Sequence, residues 1–209
     1  MQYPNTVTNP FHPVTVGYSL YFALELLARE DNLERIPIIT KDRSLYNMLT
    51  ISRVVQFFHD NKSILGNRLK KPISYIKSST SGIISIKEKD TALTGFNLMN
   101  EKNISAIAVL NDKGELTGVI SQTDLKVISH DGSLFYKLYL DAASFVKTIN
   151  KEKQNKSVVT ITKEDTFERA LDLLYENKIH RIFVINEANK PTGLISMKDL
   201  IRDLINIVD

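Results

Sequence analysis

The sequence predicts an α/β (α+β) protein made of repeated units, each a small mixed sheet packed with two helices. Three observations carry this prediction. A block in the middle of the chain recurs without a gap 75 residues later: Gly118 and Asp124 return as Gly193 and Asp199, and Ile86, Thr91, Ile104, Val109, Asn111 and Leu125 as Ile161, Thr166, Ile179, Val184, Asn186 and Leu200. Within each copy a short β-branched run gives way to apolar residues spaced by three and four, then to two apolar runs split by a turn. That order reads as strand, helix, strand, strand, helix. A more diverged copy of the same order stands at the N-terminus, and recurrence of this kind marks one structural unit used more than once.

Taken in order, residues 1–12 are an extension and 13–60 form the diverged first unit. There Val14 and Thr15 begin a strand, 23–27 a helix and Arg35 to Ile39 a second strand. Its tail, 49–54, aligns with 195–200, so Arg53 stands where the other copies have aspartate. Residues 61–81 are polar, contain Gly66 and Pro72, and are expected to be a linker. The second unit, 82–132, has strands at 83–86, 106–110 and 119–120, a helix at 92–99, a turn at 111–114 and a helix from Ser121 onward. Residues 133–149 are apolar enough for one connecting helix, with Phe135, Tyr136, Leu138, Tyr139 and Leu140 expected in the core, and 150–156 form a charged loop. In the third unit, 157–209, Phe167, Ala170, Leu171 and Leu174 share a helical face, 181–185 and 193–195 are strands around a turn, and 196–208 is a closing helix.

Composition sets the outer limits. A length of 209 residues with 43% hydrophobic and 24% charged residues is ordinary for a globular protein. No apolar run approaches the roughly 20 residues that span a bilayer, and the opening residues carry no signal-peptide pattern, so no membrane partner is expected and the cytosol or nucleus is the expected location. The absence of cysteine excludes disulfides, thiol nucleophiles and thiolate metal sites together. A net charge of +3, evenly mixed along the chain, argues against nucleic acid as a partner.

The chemistry concentrates where the second and third units end, in Ser121-Gln122-Thr123-Asp124 and Ser196-Met197-Lys198-Asp199. Each puts a hydroxyl and a carboxylate at a strand-to-helix junction. A helix N-terminus offers unpaired N–H groups and partial positive charge, which favour an anion. An ionised aspartate only accepts hydrogen bonds, and its two oxygens match the adjacent hydroxyls of a ribose. The pair therefore suits a nucleotide. Serine followed three residues later by an acid is also a capping-box start with no ligand at all. Two copies in register favour the ligand.

These residues resemble the cystathionine β-synthase (CBS) domain, whose tandem copies pair into a Bateman module and bind adenine nucleotides in the clefts between them. The stretch from His180 to Ile185, with Gly193-Leu194-Ile195-Ser196 and Asp199-Leu200, is similar to the last repeat of the gamma regulatory subunit of AMP-activated (SNF1-type) protein kinase. The resemblance implies that Asp124 and Asp199 hold ribose, that Ser121, Thr123 and Ser196 add polar contacts, and that His180 and Arg181 grip phosphate. The backbone around Ile84 and Ile86, and around Thr160 and Ile161, would hold adenine. It further implies a non-catalytic, energy-sensing subunit with AMP, ADP or ATP as ligand and no other cofactor, partnered by kinase catalytic or scaffold subunits or by a second copy of itself.

Several positions depart from the gamma pattern. Arg53 matches that family's second repeat, where arginine leaves a site empty. Glu34-Arg35 replaces the expected His-Arg, Ser52 and Gln56 replace lysines, and Glu34 would repel phosphate. The second unit has Ser105-Ala106 where the third has His180-Arg181, and three units stand where the gamma family has four. The alternative function is thus a ligand-free scaffold. His12, His59, His130 and His180 have no metal-ligand spacing, no phosphate-binding glycine loop is present, and Arg68-Lys70-Lys71 is expected to be solvated.

Overall fold

In the computed structural model, which describes residues 11–30, 32–77, 82–128, 132–152 and 158–205, the strands form three separate three-stranded sheets, one for each sequence repeat. The first repeat runs β1 (Val14–Thr15), α1 (Leu20–Arg29), β2 (Arg35–Ile39), β3 (Leu45–Thr50) and α2 (Ile51–Asp60). The second runs β4 (Ser85–Lys87), α3 (Ala92–Glu101), β5 (Ala106–Leu110), β6 (Leu116–Ser121), a 3-10 turn (Gln122–Asp124) and α4 (Leu125–Ile128). Gly132–Tyr139 is a 3-10 helix and Ala142–Glu152 is α5. The third repeat has β7 (Thr160–Ile161), α6 (Phe167–Glu176), β8 (Arg181–Ile185), β9 (Pro191–Ser196) and α7 (Met197–Ile205). In the first two sheets the outer strand before the helix runs parallel to the central strand, and the hairpin partner runs antiparallel to it.

Equivalent residues do equivalent work. Thr91 and Thr166 each cap their helix by accepting a bond of 3.2 Å from the backbone three residues on, at Thr94 and Arg169. Past the other ends of these helices, Asn103 and Lys178 take left-handed φ of 51° and 52°, the conformation that closes a helix C-terminus. The register shifts at Ile38/Ile39 and at Val109/Leu110 are a third repeated detail, a bulge near the end of the central strand.

The chain forms two compact units, and the third repeat contributes to both. The first contains the described residues of Met1–Ser79, Ile161–Ile182 and Leu194–Asp209. Here α1 packs on α7, and α2 packs on α6 and α7. The apolar face expected on α6 is buried, with Phe167, Ala170, Leu171 and Leu174 against a core that includes Leu27, Ile36, Val54 and Ile182. Each of the phenylalanine, leucine, isoleucine and valine side chains contributes about 1.5–3 kcal/mol on burial.

The polar segment after α2 is fixed to this unit. Lys62–Lys70 winds as a 3-10 helix interrupted at Gly66 (φ 51°), a left-handed turn that glycine tolerates. Ile73 and Ile76 are buried. The N–H of Ile73 donates to the Asp165 carbonyl and that of Phe167 to the Lys71 carbonyl, both at 2.8 Å. Lys62 Nζ lies 2.7 Å from Asp172 and 3.0 Å from Glu168, Lys71 Nζ lies 2.6 Å from Asp203 Oδ1, and Arg68 Nη1 donates to the Asp203 carbonyl at 2.6 Å. Of the basic cluster expected in solvent, Arg68 and Lys71 are therefore engaged, both by Asp203, which lies more than a hundred residues away in sequence.

The second unit contains the described residues of Thr80–Thr160 and Phe183–Gly193. Its core joins Ile86, Phe96, Met99, Ile107, Val109 and Ile120 to Ala142, Phe145, Val146 and Ile149 of α5. The connecting segment is two helices rather than one. Asp141 forms a bridge to Thr91 and then caps α5, accepting from the Ser144 N–H at 2.8 Å, which breaks the expected helix there. Phe135, Tyr136 and Tyr139 are exposed, contrary to the core expected of them, while Leu138 and Leu140 do pack against the core. Of the expected loop 150–156, the first residues extend α5, and 153–156 lie outside the described residues. The β8–β9 hairpin is held on by Asn189, whose carbonyl accepts from Leu116 N at 2.9 Å and whose side-chain amide donates to Leu116 O at 3.1 Å.

Candidate functional site

One hydrogen bond defines the same junction in all three repeats. The first N–H after the hairpin donates to the carbonyl just before the central strand: Ile51 to Glu34 at 3.1 Å, Gln122 to Ser105 at 3.0 Å and Met197 to His180 at 2.9 Å. Glu34, Ser105 and His180 are thus structural equivalents, as are Thr50, Ser121 and Ser196. At each junction the helix start, the hairpin end and the beginning of the central strand meet at one end of a sheet.

In the second unit, Asp124 is buried and its Oδ2 accepts from the Ser121 N–H at 2.6 Å and the Ser121 hydroxyl at 2.9 Å. Thr123 is exposed, with its hydroxyl 2.8 Å from that of Ser121. Ile86 is buried in β4, and the Ile84 carbonyl accepts from Ala108 N at 3.3 Å. Ser85 pairs with Ala108, so this stretch enters the sheet beside the start of the central strand, at the same end as Ser121.

In the first unit, Asp199 has no exposed surface. Its Oδ2 accepts from the Ser196 N–H at 2.8 Å and the Ser196 hydroxyl at 2.7 Å, and the Asp199 N–H returns a bond to Ser196 Oγ at 3.1 Å. Arg202 Nη1 stands 3.9 Å from the other oxygen, Oδ1. Ile161 is buried in β7. Thr160, the residue before it, belongs to the second unit, so the expected adenine strand is divided between the units.

The first repeat comes to this junction as well. Ser52 Oγ is 3.5 Å from His180 Nε2 and 3.8 Å from Met197 Sδ. Lys198 Nζ donates to the carbonyls of Glu30 and Leu33, at 2.7 and 3.1 Å, and Arg202 Nε to that of Ala28 at 2.9 Å. These bonds draw the end of α1, and with it Glu34, toward α7. Burial lowers the Arg181 guanidinium from its ordinary value, while Glu34 and Asp199 act in the opposite direction; it remains a cation at neutral pH. The junction thus holds a buried carboxylate, a half-buried guanidinium and an exposed imidazole, a set able to bind sugar hydroxyls and an anion, with the further carboxylate of Glu34 nearby.

The structure brings together Asp199, Ser196, His180 and Arg181 in one unit, and Asp124, Ser121, Thr123, Ile84 and Ile86 in the other. Sequence reasoning singled out Glu34 and Ser52 as departures but did not put them beside His180 and Arg181. Their alignment with the His-Arg and lysine positions was the available signal. Among the described residues no group of three histidines, cysteines or acids is placed to hold a metal ion, and no helix is long and apolar enough to cross a membrane.

Comparison with known proteins identifies the family of the fold. The CBS domain model matches residues 74–130 and 146–206, spans that cover most of the second and third repeats together with Ile76 and the C-terminal part of α5 ahead of their first strands. The gamma subunit of 5'-AMP-activated protein kinase from Dictyostelium discoideum is 25% identical over 197 residues, covering 91% of this chain and 34% of that protein, so the chain spans about a third of the relative's length. Among solved structures, a protein from Methanocaldococcus jannaschii, proposed as an archaeal homologue of the same gamma subunit, superposes with a TM-score of 0.73 at 18% identity, covering 93% of this chain and 67% of that one. A CBS protein solved in complex with AMP gives 0.54 at 20% identity, over 66% of this chain and 99% of that one. With more than half of its residues matched, and with the expected tandem units of mixed sheet and two helices, the chain belongs to the CBS-domain family.

Proposed function

We propose that this protein is a non-catalytic regulatory module of the cytosol that binds adenine nucleotides, AMP, ADP or ATP, and acts as a gamma-like energy-sensing subunit of a protein kinase. The observation that carries the reading is the pair of buried carboxylates, Asp124 and Asp199, held in the same way at equivalent strand-to-helix junctions, with His180 and Arg181 beside the second. Ribose would take Asp199 and Asp124, phosphate would take Arg181 and His180, and the backbones of Ile84, Ile86, Thr160 and Ile161 would line the adenine. The gamma-subunit relative supports the kinase partnership, and the AMP-bound CBS structure supports the ligand class. A bound nucleotide regulates only through unequal affinity for two states of the module or its complex. Calorimetry of the purified chain with AMP, ADP and ATP tests the reading, and no heat of binding at millimolar nucleotide would refute it.

A ligand-free scaffold is the second reading. Its support is that each carboxylate already bonds its own serine and that Glu34 stands near Arg181. Co-purification with a kinase, with no nucleotide released on denaturation and none bound on addition, would select it.

A further inference from the structure

We propose that Glu34 sets the charge selectivity of the junction in the first unit, so that the site favours adenosine ligands carrying at most one phosphate over di- and triphosphates. The inference deepens the adenine-nucleotide reading and rests on it. Glu34 is the structural equivalent of His180, as the matching junction bonds of Ile51 and Met197 establish. Its backbone is held beside the junction: the Glu34 carbonyl accepts from Ile51 N at 3.1 Å, the preceding Leu33 carbonyl accepts from Lys198 Nζ at 3.1 Å, and Ser52, which follows Ile51, lies 3.5 Å from His180 Nε2. Where the repeat pattern would supply a second phosphate donor, this chain supplies an acceptor.

The charges near the junction decide what an incoming tail would meet. Arg35, Arg53 and Glu34 are all exposed, so salt weakens their reach; Arg181 is half-buried, and Lys198 and Arg202 donate to the carbonyls of Glu30, Leu33 and Ala28. The field at Arg181 already includes two carboxylates, Glu34 and Asp199. A nucleoside adds no charge to this balance. A monophosphate can still share Arg181, but a triphosphate would bring several negative charges against a cation that is already matched.

The test is calorimetry of the full chain, wild type and Glu34→Gln, with adenosine, AMP and ATP. The wild type is expected to bind adenosine and AMP more tightly than ATP. Removing one like charge near a protein surface, with screening by salt, should improve ATP binding by about tenfold. Adenosine affinity should stay within about twofold, which also reports that the variant's site is intact. Adenosine binding with the same ATP-to-adenosine affinity ratio in both proteins would overturn the role of Glu34 and leave the adenine-nucleotide reading standing. Failure of all three ligands to bind either protein would overturn both.

Discussion

Replacement of Asp199 by alanine and by asparagine separates the two roles assigned to this carboxylate. In the folded chain it has no exposed surface and accepts both the backbone N–H and the hydroxyl of Ser196, at 2.8 and 2.7 Å. Alanine removes the one oxygen, Oδ2, that accepts both. The lost helix-start bonds cost about 1 kcal/mol, and leaving donors of Ser196 unsatisfied costs about 1–3 kcal/mol more. A total near 3 kcal/mol corresponds to a fall in Tm of about 6–12 °C for a chain of this size. Asparagine keeps one accepting oxygen and loses the charge, so its cost should be about 1 kcal/mol. Urea unfolding with unchanged m-values, followed by AMP calorimetry on the asparagine variant, is the assay. The asparagine protein should remain folded yet bind AMP about tenfold more weakly, as expected for loss of one charged hydrogen-bond acceptor. The reasoning fails if alanine costs less than about 0.5 kcal/mol or if asparagine is as damaging as alanine.

The two equivalent glycines should respond differently to alanine. At Gly118 a new β-carbon would sit 2.9 Å from Val146 Cγ2, whereas at Gly193 the nearest neighbour is Val184 Cβ at 3.5 Å. Chemical denaturation should show Gly118→Ala costing about 1–3 kcal/mol and Gly193→Ala within about 0.5 kcal/mol. Lys62 offers a pH test. Its hydrogen bond to Asp172 chiefly raises its pKa in the folded state, so its stabilisation is complete below the unfolded value near 10.4 and is lost as pH rises through the folded value. The stability gap between wild type and Lys62→Met, about 1 kcal/mol, should be flat from about pH 6 to 9 and close above about pH 10.5; a gap that persists at pH 11.5 would contradict the assignment.

The 75-residue offset made much of the fold legible, because it aligned residues whose local chemistry is self-contained. Thr91 and Thr166 cap helices with bonds that span three residues, and Ser121 and Ser196 meet Asp124 and Asp199 over the same short reach. Features built from distant partners were hidden. Residues 62–71 read as a solvated linker because Asp172, Glu168 and Asp203 become their counter-ions only after folding. The break at Asp141 depends on Thr91, fifty residues earlier in the chain. Ser52 and His180 meet across 128 residues, a contact that neither local pattern announces. At the site itself, residue types and spacing pointed to the two aspartates, while the nearness of Glu34 to Arg181 required the packing of α1 on α7.

The period of the sequence and the unit of folding do not coincide. Residues 71–76 precede the second repeat but bond to the start of the third, while 140–149 precede the third and pack on the second. The third repeat also gives its helices to one compact unit and much of its hairpin to the other. A 75-residue segment is therefore not a transferable part. Recombination that inserted or removed one copy would strip apolar cover from a neighbour that kept its own sequence intact, so new repeats could be tolerated only in combinations that restore the exchanged segments. The junctions can therefore differ from copy to copy, as the glutamate of the first does, while each stretch between copies is tied to a repeat other than the one it precedes.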